Sequence, residues 1–539
     1  LFKLRPPADG FSSHTLIVLV ALFVVVFANQ TLFSRLFAAY PPSAANLAEL
    51  ASVGVVFFAV NVLLLALVCF GRGTKPVLIA VLIVSSATAC FIDSYGIVIN
   101  DEMLTNVLQT NVAEAADLLT PRLLAYGLGL GLLPAFVVAR LPLRRAGWRR
   151  ELAGRGKLVA VLLLVSLALV VAFSSFYASL VRKQKPLRVH ANPSYALHTL
   201  AAYLGNTWAT PGPGKLTVVG ADAHIPASDV ERELIVLVVG ETARADRFSL
   251  NGYARETNPE LAKAGVISFG NFHACGTSTA VSVPCMFSAG GMASFDNKAA
   301  GNRENLLDVL RHAGVNVLWL DNNSDSKGVA VRVPYENYKS PAVNPVCDAE
   351  CRDVGMLARL QDYVDAHPTG DIVIVLHQMG NHGPSYFKRY PAEFEKFTPT
   401  CRSSDLSRCT REEIGNAYDN AIRYTDYFLA RTIDFLKRND ARFETAMLYV
   451  SDHGESLGEN GLYLHGLPRA LAPDSQVHVP AILWLGSGMH DFDQAVLRNL
   501  RNARLSHDNV FHTVLGLMEI QSDAYRPELD IVAASRRDR

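Results

Sequence analysis

Residues 444–459 read ETAMLYVSDHGESLGE, and the fold turns on how this stretch is read. Met447–Val450 is an apolar run of strand length, and Ser451-Asp452-His453-Gly454-Glu455 follows it directly, which puts a carboxylate and an imidazole at a strand end. Four more runs of the same kind, rich in Val and Ile, lie at Leu234–Val239, Val315–Leu320, Ile372–Leu376 and Ala481–Leu485. Segments with helical character, Asn305–His312, Met356–His367 and Ile414–Lys437, lie between them. Buried strands alternating with helices predict an α/β domain with a largely parallel sheet covered on both faces. In such folds the reactive groups collect at the carboxyl ends of the strands.

Two other strand ends are polar as well. Leu234–Val239 runs into GETARAD, which carries Glu241, and Ile372–Leu376 runs into HQMGNHG, which carries His377 and His382. His465 follows His453 by twelve residues. A single strand-end acid is most often a helix cap, but three such ends in one domain exceed what caps explain. Two carboxylates and an imidazole converging from different strands suit zinc or manganese. The segment ACGTSTAVSVPC (Ala274–Cys285) adds three hydroxyls, Thr277, Ser278 and Thr279, between two cysteines. Taken alone it is an ordinary Ser/Thr-rich helix start. Beside a metal, such a hydroxyl becomes a nucleophile, and a helix N-terminus offers N–H groups to a phosphate.

Upstream the composition changes. The 539 residues are 50% hydrophobic, with 50 basic and 50 acidic side chains and a mean hydropathy of +0.19. The balance conceals a split: 16 basic against 8 acidic residues through position 185, and 34 against 42 beyond it. This excludes a disordered chain, a disulfide mini-domain and a basic nucleic-acid binder. Five apolar stretches reach the roughly 20 residues that a membrane-spanning helix needs: Thr15–Phe33, Ala48–Phe70, Pro76–Ile97, Pro121–Ala139 and Leu158–Leu180. The first reads as an uncleaved anchor. The chain begins at Leu1 rather than at a Met. Arg140–Lys157 holds seven basic residues, Arg72 and Lys75 lie between spans two and three, and Lys3 and Arg5 precede span one. These segments share a side if the spans alternate, and the positive-inside rule makes that side cytoplasmic. Everything after Leu180 then faces out. The expected division is a membrane domain over 1–181, a Pro- and Gly-rich bridge with a short helix over 182–226, and a globular domain over 227–539.

Cys69 and Cys90 fall within spans, whereas the outer domain carries Cys275 with Cys285, Cys347 with Cys351 and Cys401 with Cys409. Close pairs in an oxidising compartment read as three local disulfides. The outer segment 101–117 reads as an amphipathic interfacial helix. Asn106, Thr110 and Glu114 recur every four residues on one face of it, a face that by spacing alone is solvated.

As a set, Glu241 after its strand, CGTST (Cys275–Thr279) with VPC (Val283–Cys285), and SDHGESLGE (Ser451–Glu459), behind five spans, resembles the lipid A phosphoethanolamine transferases. These are inner-membrane enzymes of the colistin-resistance type with an alkaline-phosphatase/sulfatase-like periplasmic domain. SDHG alone marks only the wider phosphatase and sulfatase superfamily. The resemblance implies Zn2+ on Glu241, Thr279, Asp452 and His453, with Thr279 as nucleophile and a second zinc near His382 and His465. It also implies a substrate pocket of Ser324, Lys327, His382 and His465, joined by Asn106, Thr110 and Glu114 as head-group contacts in place of a solvated stripe. The implied reaction passes phosphoethanolamine from phosphatidylethanolamine through a phosphoethanolamine–threonine intermediate to a phosphate of lipid A. The implied protein is a multi-pass monomer of the Gram-negative inner membrane, which lowers lipopolysaccharide charge and confers polymyxin resistance. The alternative is transfer of phosphoethanolamine or phosphoglycerol to another periplasmic glycan. A sulfatase is disfavoured because no CxPxR stands at Cys275 or Cys285. The full set of ligand types speaks against a non-catalytic sensor, and the scarcity of ionisable residues in the spans, Asp93 excepted, speaks against a transporter.

Overall fold

The computed structural model describes residues 10–109, 112–144, 147–209, 215–297 and 299–537. It divides into two compact units, one of Leu1–Leu104 with Leu118–Ala209 and one of Thr105–Asp117 with Thr210–Arg539. The segment read as a bridge is therefore split, because its helix Ser194–Ala209 belongs to the first unit and 215–226 to the second.

Among the described residues of the first unit, four helices are long and apolar enough to cross a membrane: Leu47–Val68, Gly71–Tyr95, Pro121–Arg140 and Trp148–Ala172. A fifth span requires Ser13–Phe27 and Gln30–Ala39 together, and these two meet at a bend of 58°. The first span is thus a broken helix where the hydropathy predicted a continuous one. Its cause is polar. Buried Asn29 donates its side-chain amide to Val24 O (3.0 Å) and Asn192 O (2.8 Å). Asn192 returns hydrogen bonds to Ala28 O and Ser85 O. Asp93 then caps the second piece by accepting from the amide and hydroxyl of Thr31 (3.0 and 2.6 Å). An inserted side chain that takes over helix carbonyls is a standard source of a kink.

The second unit is built on an eight-stranded sheet. Its strands, with a separate two-stranded ribbon, are β1 (Glu233–Gly240), β2 (Ile267–His273), β3 (Asn316–Asp321), β4 (Tyr335–Asn337), β5 (Ile372–His377), β6 (Glu444–Ser451), β7 (Ser456–Leu457), β8 (Tyr463–Leu464), β9 (His478–Leu485) and β10 (Leu505–Ser506). The order in the large sheet is β10-β2-β9-β6-β1-β5-β3-β4, and β7 pairs with β8 in the ribbon. Within the large sheet β9 is antiparallel to β2 and β6, and the other pairs are parallel. The sheet is largely parallel, as the alternation predicted. All residues of β1, β5 and β6 are buried, as strands covered on both faces must be. One cover is the 29-residue helix Arg411–Asn439, started by a Thr410/Glu413 capping box and packed on β6. The apolar runs missed β2, β4 and β10. β2 (ISFGNFH) carries a glycine and three polar side chains and is only partly buried, and β4 and β10 are three and two residues long.

The three expected disulfides, Cys275–Cys285, Cys347–Cys351 and Cys401–Cys409, are formed in this unit. Helices Asp101–Gln109 and Val112–Asp117 occupy the segment read as interfacial. The side chains of Asn106, Thr110 and Glu114 lie outside the described residues.

Candidate active site

The register of β1 against β6 builds the site. Gly240 stands opposite Ser451, so the residues that follow, Glu241 and Asp452, leave the sheet side by side. Cross-links hold this exit: Asp452 N–H donates to Gly240 O (2.9 Å) and Ala243 N–H to Ser451 Oγ (2.8 Å). Asp452 Oδ1 accepts from the amides of His453 (2.7 Å) and Thr242 (3.1 Å). Its other oxygen, Oδ2, is buried, accepts no hydrogen bond among the described residues, and lies 3.2 Å from His453 Nε2.

His453 is fully buried, and burial pushes its imidazole down to about 4. The neutral ring has Nδ1 against Gly454 O at 3.0 Å, which makes Nδ1 the donor and leaves the Nε2 lone pair facing the carboxylates. Thr279 enters as the first residue of helix Thr279–Met286, after the N-cap Ser278. Its Oγ1 donates to Glu241 Oε2 at 3.2 Å and stands 3.4 Å from His453 Nε2. Asn323, two residues beyond β3, donates to the same Glu241 oxygen (2.6 Å) and to Gln378 O (2.7 Å). Gly380, after β5, approaches so closely that a Cβ on it would stand 2.9 Å from Glu241 O, at a φ of +51°. Thr242 (φ 50°), Asp325 (φ 114°) and Lys327 (φ 51°) hold left-handed backbone around the site, which costs about 1–3 kcal/mol each and clusters at functional sites.

The ligating atoms of Glu241, Asp452 and His453 all lie within 4.8 Å of one another. A buried carboxylate oxygen that accepts no hydrogen bond is costly unless a cation meets it. One imidazole nitrogen, two carboxylates and a hydroxyl form a donor set that fits a divalent cation of the zinc class. A second convergence, Cys275, Cys285 and Asp508, cannot serve, because both sulfurs are spent in the disulfide.

Beside this centre lies a histidine cluster. The His465 ring is 4.3 Å from that of His453 and 5.5 Å from that of His382, centroid to centroid. The loop is tied to the segment that bears Thr279 by Gly466 N–H donating to Thr277 O (2.8 Å). His465 Nδ1 faces buried Glu455 at 3.3 Å. Desolvation first, and then the neighbouring His465 and Arg389, hold His382 well below its ordinary value.

Residues 233–520 match the sulfatase family, and residues 57–207 match the family described as phosphoethanolamine transferase EptA/EptB. The chain is 43% identical over 524 residues to the phosphatidylethanolamine transferase Mcr-1 of Escherichia coli, covering 95% of this chain and 96% of that one. The chain belongs to the phosphoethanolamine transferase family. A transferase of this family has been solved whole, the integral membrane lipooligosaccharide phosphoethanolamine transferase A of Neisseria meningitidis. It superposes with a TM-score of 0.93 at 35% identity, covering 97% of this chain and 99% of that one. The C-terminal periplasmic domain of phosphoethanolamine transferase EptC from Campylobacter jejuni matches at a TM-score of 0.53 and 40% identity, over 59% of this chain and 97% of that domain.

Within this transferase, Glu241, Thr279, Asp452, His453, His382 and His465 come together as described. Ser324 and Lys327 lie on the loop whose Asn323 touches Glu241. Among the described residues, neither the Ser324 hydroxyl nor the Lys327 ammonium contacts the centre. Thr277 is spent on Leu467 O (2.6 Å), and His377 faces away, paired at 2.9 Å with buried Asp321. Sequence reasoning missed three supporting residues. Asn323 sat within the DNNSDSK stretch and Glu455 within SDHGE, so both were visible but unassigned. His507 gave no local signal. Its Nδ1 accepts from Cys275 N–H (3.1 Å) and its Nε2 donates to Ser451 O (3.0 Å), bracing the segment that leads to Thr279 against the end of β6. Burial pushes it to about 4, which keeps it in the neutral form that this pair of hydrogen bonds requires.

Proposed function

We propose that this enzyme transfers phosphoethanolamine from phosphatidylethanolamine to a phosphate of lipid A, with Thr279 as the nucleophile and Glu241, Thr279, Asp452 and His453 as ligands of Zn2+. The observation that carries the reading is Thr279 Oγ1 lying 3.2 Å from Glu241 and 3.4 Å from His453, in a chain 43% identical to a phosphatidylethanolamine transferase. Zinc bound there would supply a lowered hydroxyl pKa and a positive charge for the phosphoryl oxygens. Thr279 Oγ1 already donates to Glu241, so its proton has an acceptor before attack. In the first half-reaction the Thr279 Oγ1–P bond forms, the bond from phosphorus to the glycerol oxygen breaks, and diacylglycerol leaves with a proton. In the second, a lipid A phosphate oxygen gives up its proton and bonds to phosphorus, the Thr279 Oγ1–P bond breaks, and that proton restores the Thr279 hydroxyl.

We assign His465, backed by Glu455, as the group that handles the proton of the departing glycerol oxygen, and neutral His382 as a lone-pair donor suited to a second zinc. Lys327 and Ser324 are assigned to the phosphoryl oxygens, and Glu114, with Asn106 and Thr110, to the ethanolamine ammonium. The first unit spans the inner membrane as a monomer, with its basic loops cytoplasmic and the second unit in the periplasm, where both lipid substrates are within reach. Adding an ammonium to a lipid phosphate offsets surface charge, so polymyxin should bind the cell less well.

Mass spectrometry of lipid A from a susceptible Gram-negative host tests this. Cells expressing the chain should gain one phosphoethanolamine, and cells expressing Thr279→Ala should gain none, a loss of at least about 1,000-fold in transfer. No gain with the zinc-loaded, folded protein would move the acceptor to another glycan or the donor group to phosphoglycerol.

A further inference from the structure

The first unit carries a second, polar site that the transfer chemistry does not use. A cavity of about 910 Å³ lies where the chain before the first helix, the turn after Leu47–Val68 and the start of Trp148–Ala172 meet. Its wall is tied together. Phe11 N–H donates to Pro142 O and Arg144 N–H to Phe11 O, both at 2.8 Å. His14 Nε2 reaches Glu151 O at 3.3 Å, and it does so over Gly154, where a Cβ would stand 2.9 Å from the His14 ring.

Among the described residues, four cationic side chains line the cavity, Arg72, Lys75, Arg144 and Arg150, against one acid, Glu151. That acid is already engaged by Arg155 at 2.7 Å. Arg155 is buried, donates to Ala66 O and lies 4.1 Å over the Phe70 ring. Lys75 donates to Ala139 O (2.9 Å). Among the described residues, the guanidinium groups of Arg72, Arg144 and Arg150 make no hydrogen bond or ion pair. A cavity holding this much uncompensated charge favours an anion.

The neighbouring surface says what kind of anion. Val68, Phe70 and Leu152, on the helices and turn that border the cavity, are exposed by 56%, 53% and 56%. A basic pocket beside an apolar flank matches a molecule with a phosphate at one end and acyl chains at the other. Basic pockets between membrane helices bind anionic head groups in this way. A soluble anion would have no use for the flank. We propose that this cavity binds the head group of an anionic phospholipid of the phosphatidylglycerol class, in the leaflet that faces the basic loops. The proposal rests on the first unit spanning a membrane and is independent of which group Thr279 transfers.

The test is native mass spectrometry of the full-length, zinc-loaded chain titrated with phosphatidylglycerol, with phosphatidylcholine and with inorganic phosphate. Phosphatidylglycerol should bind at least about tenfold more tightly than phosphatidylcholine, and inorganic phosphate should compete poorly. The double variant Arg144→Gln/Arg150→Gln should lose roughly thirtyfold in phosphatidylglycerol affinity, at about one basic side chain's attraction per substitution. Arg149→Gln removes one charge from the same helix start outside the cavity and should change affinity less than twofold. Arg144→Lys/Arg150→Lys should keep most of the binding, which guards against a glutamine variant that fails to fold. Equal binding of the two lipids, or an equal loss in Arg149→Gln, would overturn the site. Full displacement by inorganic phosphate would overturn the lipid assignment. Transferase activity that fails to appear while phosphatidylglycerol binding persists would count against the function proposed above and not against this site.

Discussion

Asp93 in the first unit and Asp452 in the second are both acids drawn into the protein, and they are treated in opposite ways. Asp93 Oδ1 accepts from the Thr31 amide and hydroxyl, and its Oδ2 from the Tyr126 hydroxyl at 3.2 Å. Asp452 has one oxygen held by two amides and the other buried without a hydrogen bond. The first arrangement spends the carboxylate on fixing a bent helix. The second keeps an oxygen in reserve, beside an imidazole lone pair and a hydroxyl. Between these two acids, the half-buried one has its hydrogen bonds filled, and the fully buried one keeps an oxygen that a cation could meet.

Replacing each acid tests that contrast. Asp452→Ala should lower metal content and transfer at least about 100-fold, because even residues that only support a metal ligand cost 10- to 100-fold, while leaving the melting temperature of metal-free protein close to its parent's. Asp93→Ala should do the reverse, costing about 1–3 kcal/mol of stability for its stranded donors with metal content intact. Elemental analysis and thermal melts in detergent read both. Metal loss in Asp93→Ala would erase the distinction. Chelation should mimic Asp452→Ala and be reversed by Zn2+ better than by Mg2+, since a nitrogen in the donor set disfavours magnesium.

A smaller effect belongs to His507, which touches neither the proposed metal nor substrate. His507→Ala should lower kcat roughly 10- to 100-fold through misplacement of Thr279 with zinc content unchanged. His507→Asn, able to keep one of the two hydrogen bonds, should recover part of the loss. If KM alone moved, positioning would be the wrong account. The least effect is on acid stability. The His507 pKa falls from 6.5 to about 4 in the fold, so between those values the unfolded chain takes up a proton that the folded chain refuses. Its contribution to stability is thus full above pH 6.5 and is lost as pH falls toward 4, on the order of 3 kcal/mol over the window. The stability gap between wild type and His507→Asn should narrow on acidification, as followed by denaturant titration.

Much of this was legible along the chain because its physical causes are local. Five strands appeared as apolar runs, and Glu241, Asp452 and His453 stood out because each directly follows one. The cysteine pairs were readable because each closes over a short span of chain. The bend at Ala28–Asn29 was not readable. Hydropathy sums a window, whereas the break depends on Asn29 meeting Asn192, 163 residues away. His377 and His382 looked equivalent in HQMGNHG, yet one pairs with Asp321 and the other joins His465, because strand and loop send them to different neighbours.

Periodicity and motif spacing are properties of the chain, and from them came the apolar spans, the α/β alternation, the residue types of the candidate metal site and the family. Which of several acids and histidines converge follows from the tertiary fold. The pairing of Gly240 with Ser451 makes neighbours of carboxylates more than two hundred residues apart, and the loops bearing Asn323, Gly380 and His507 close around them. Convergence of that kind depends on sheet register and loop packing, and no window of sequence contains either.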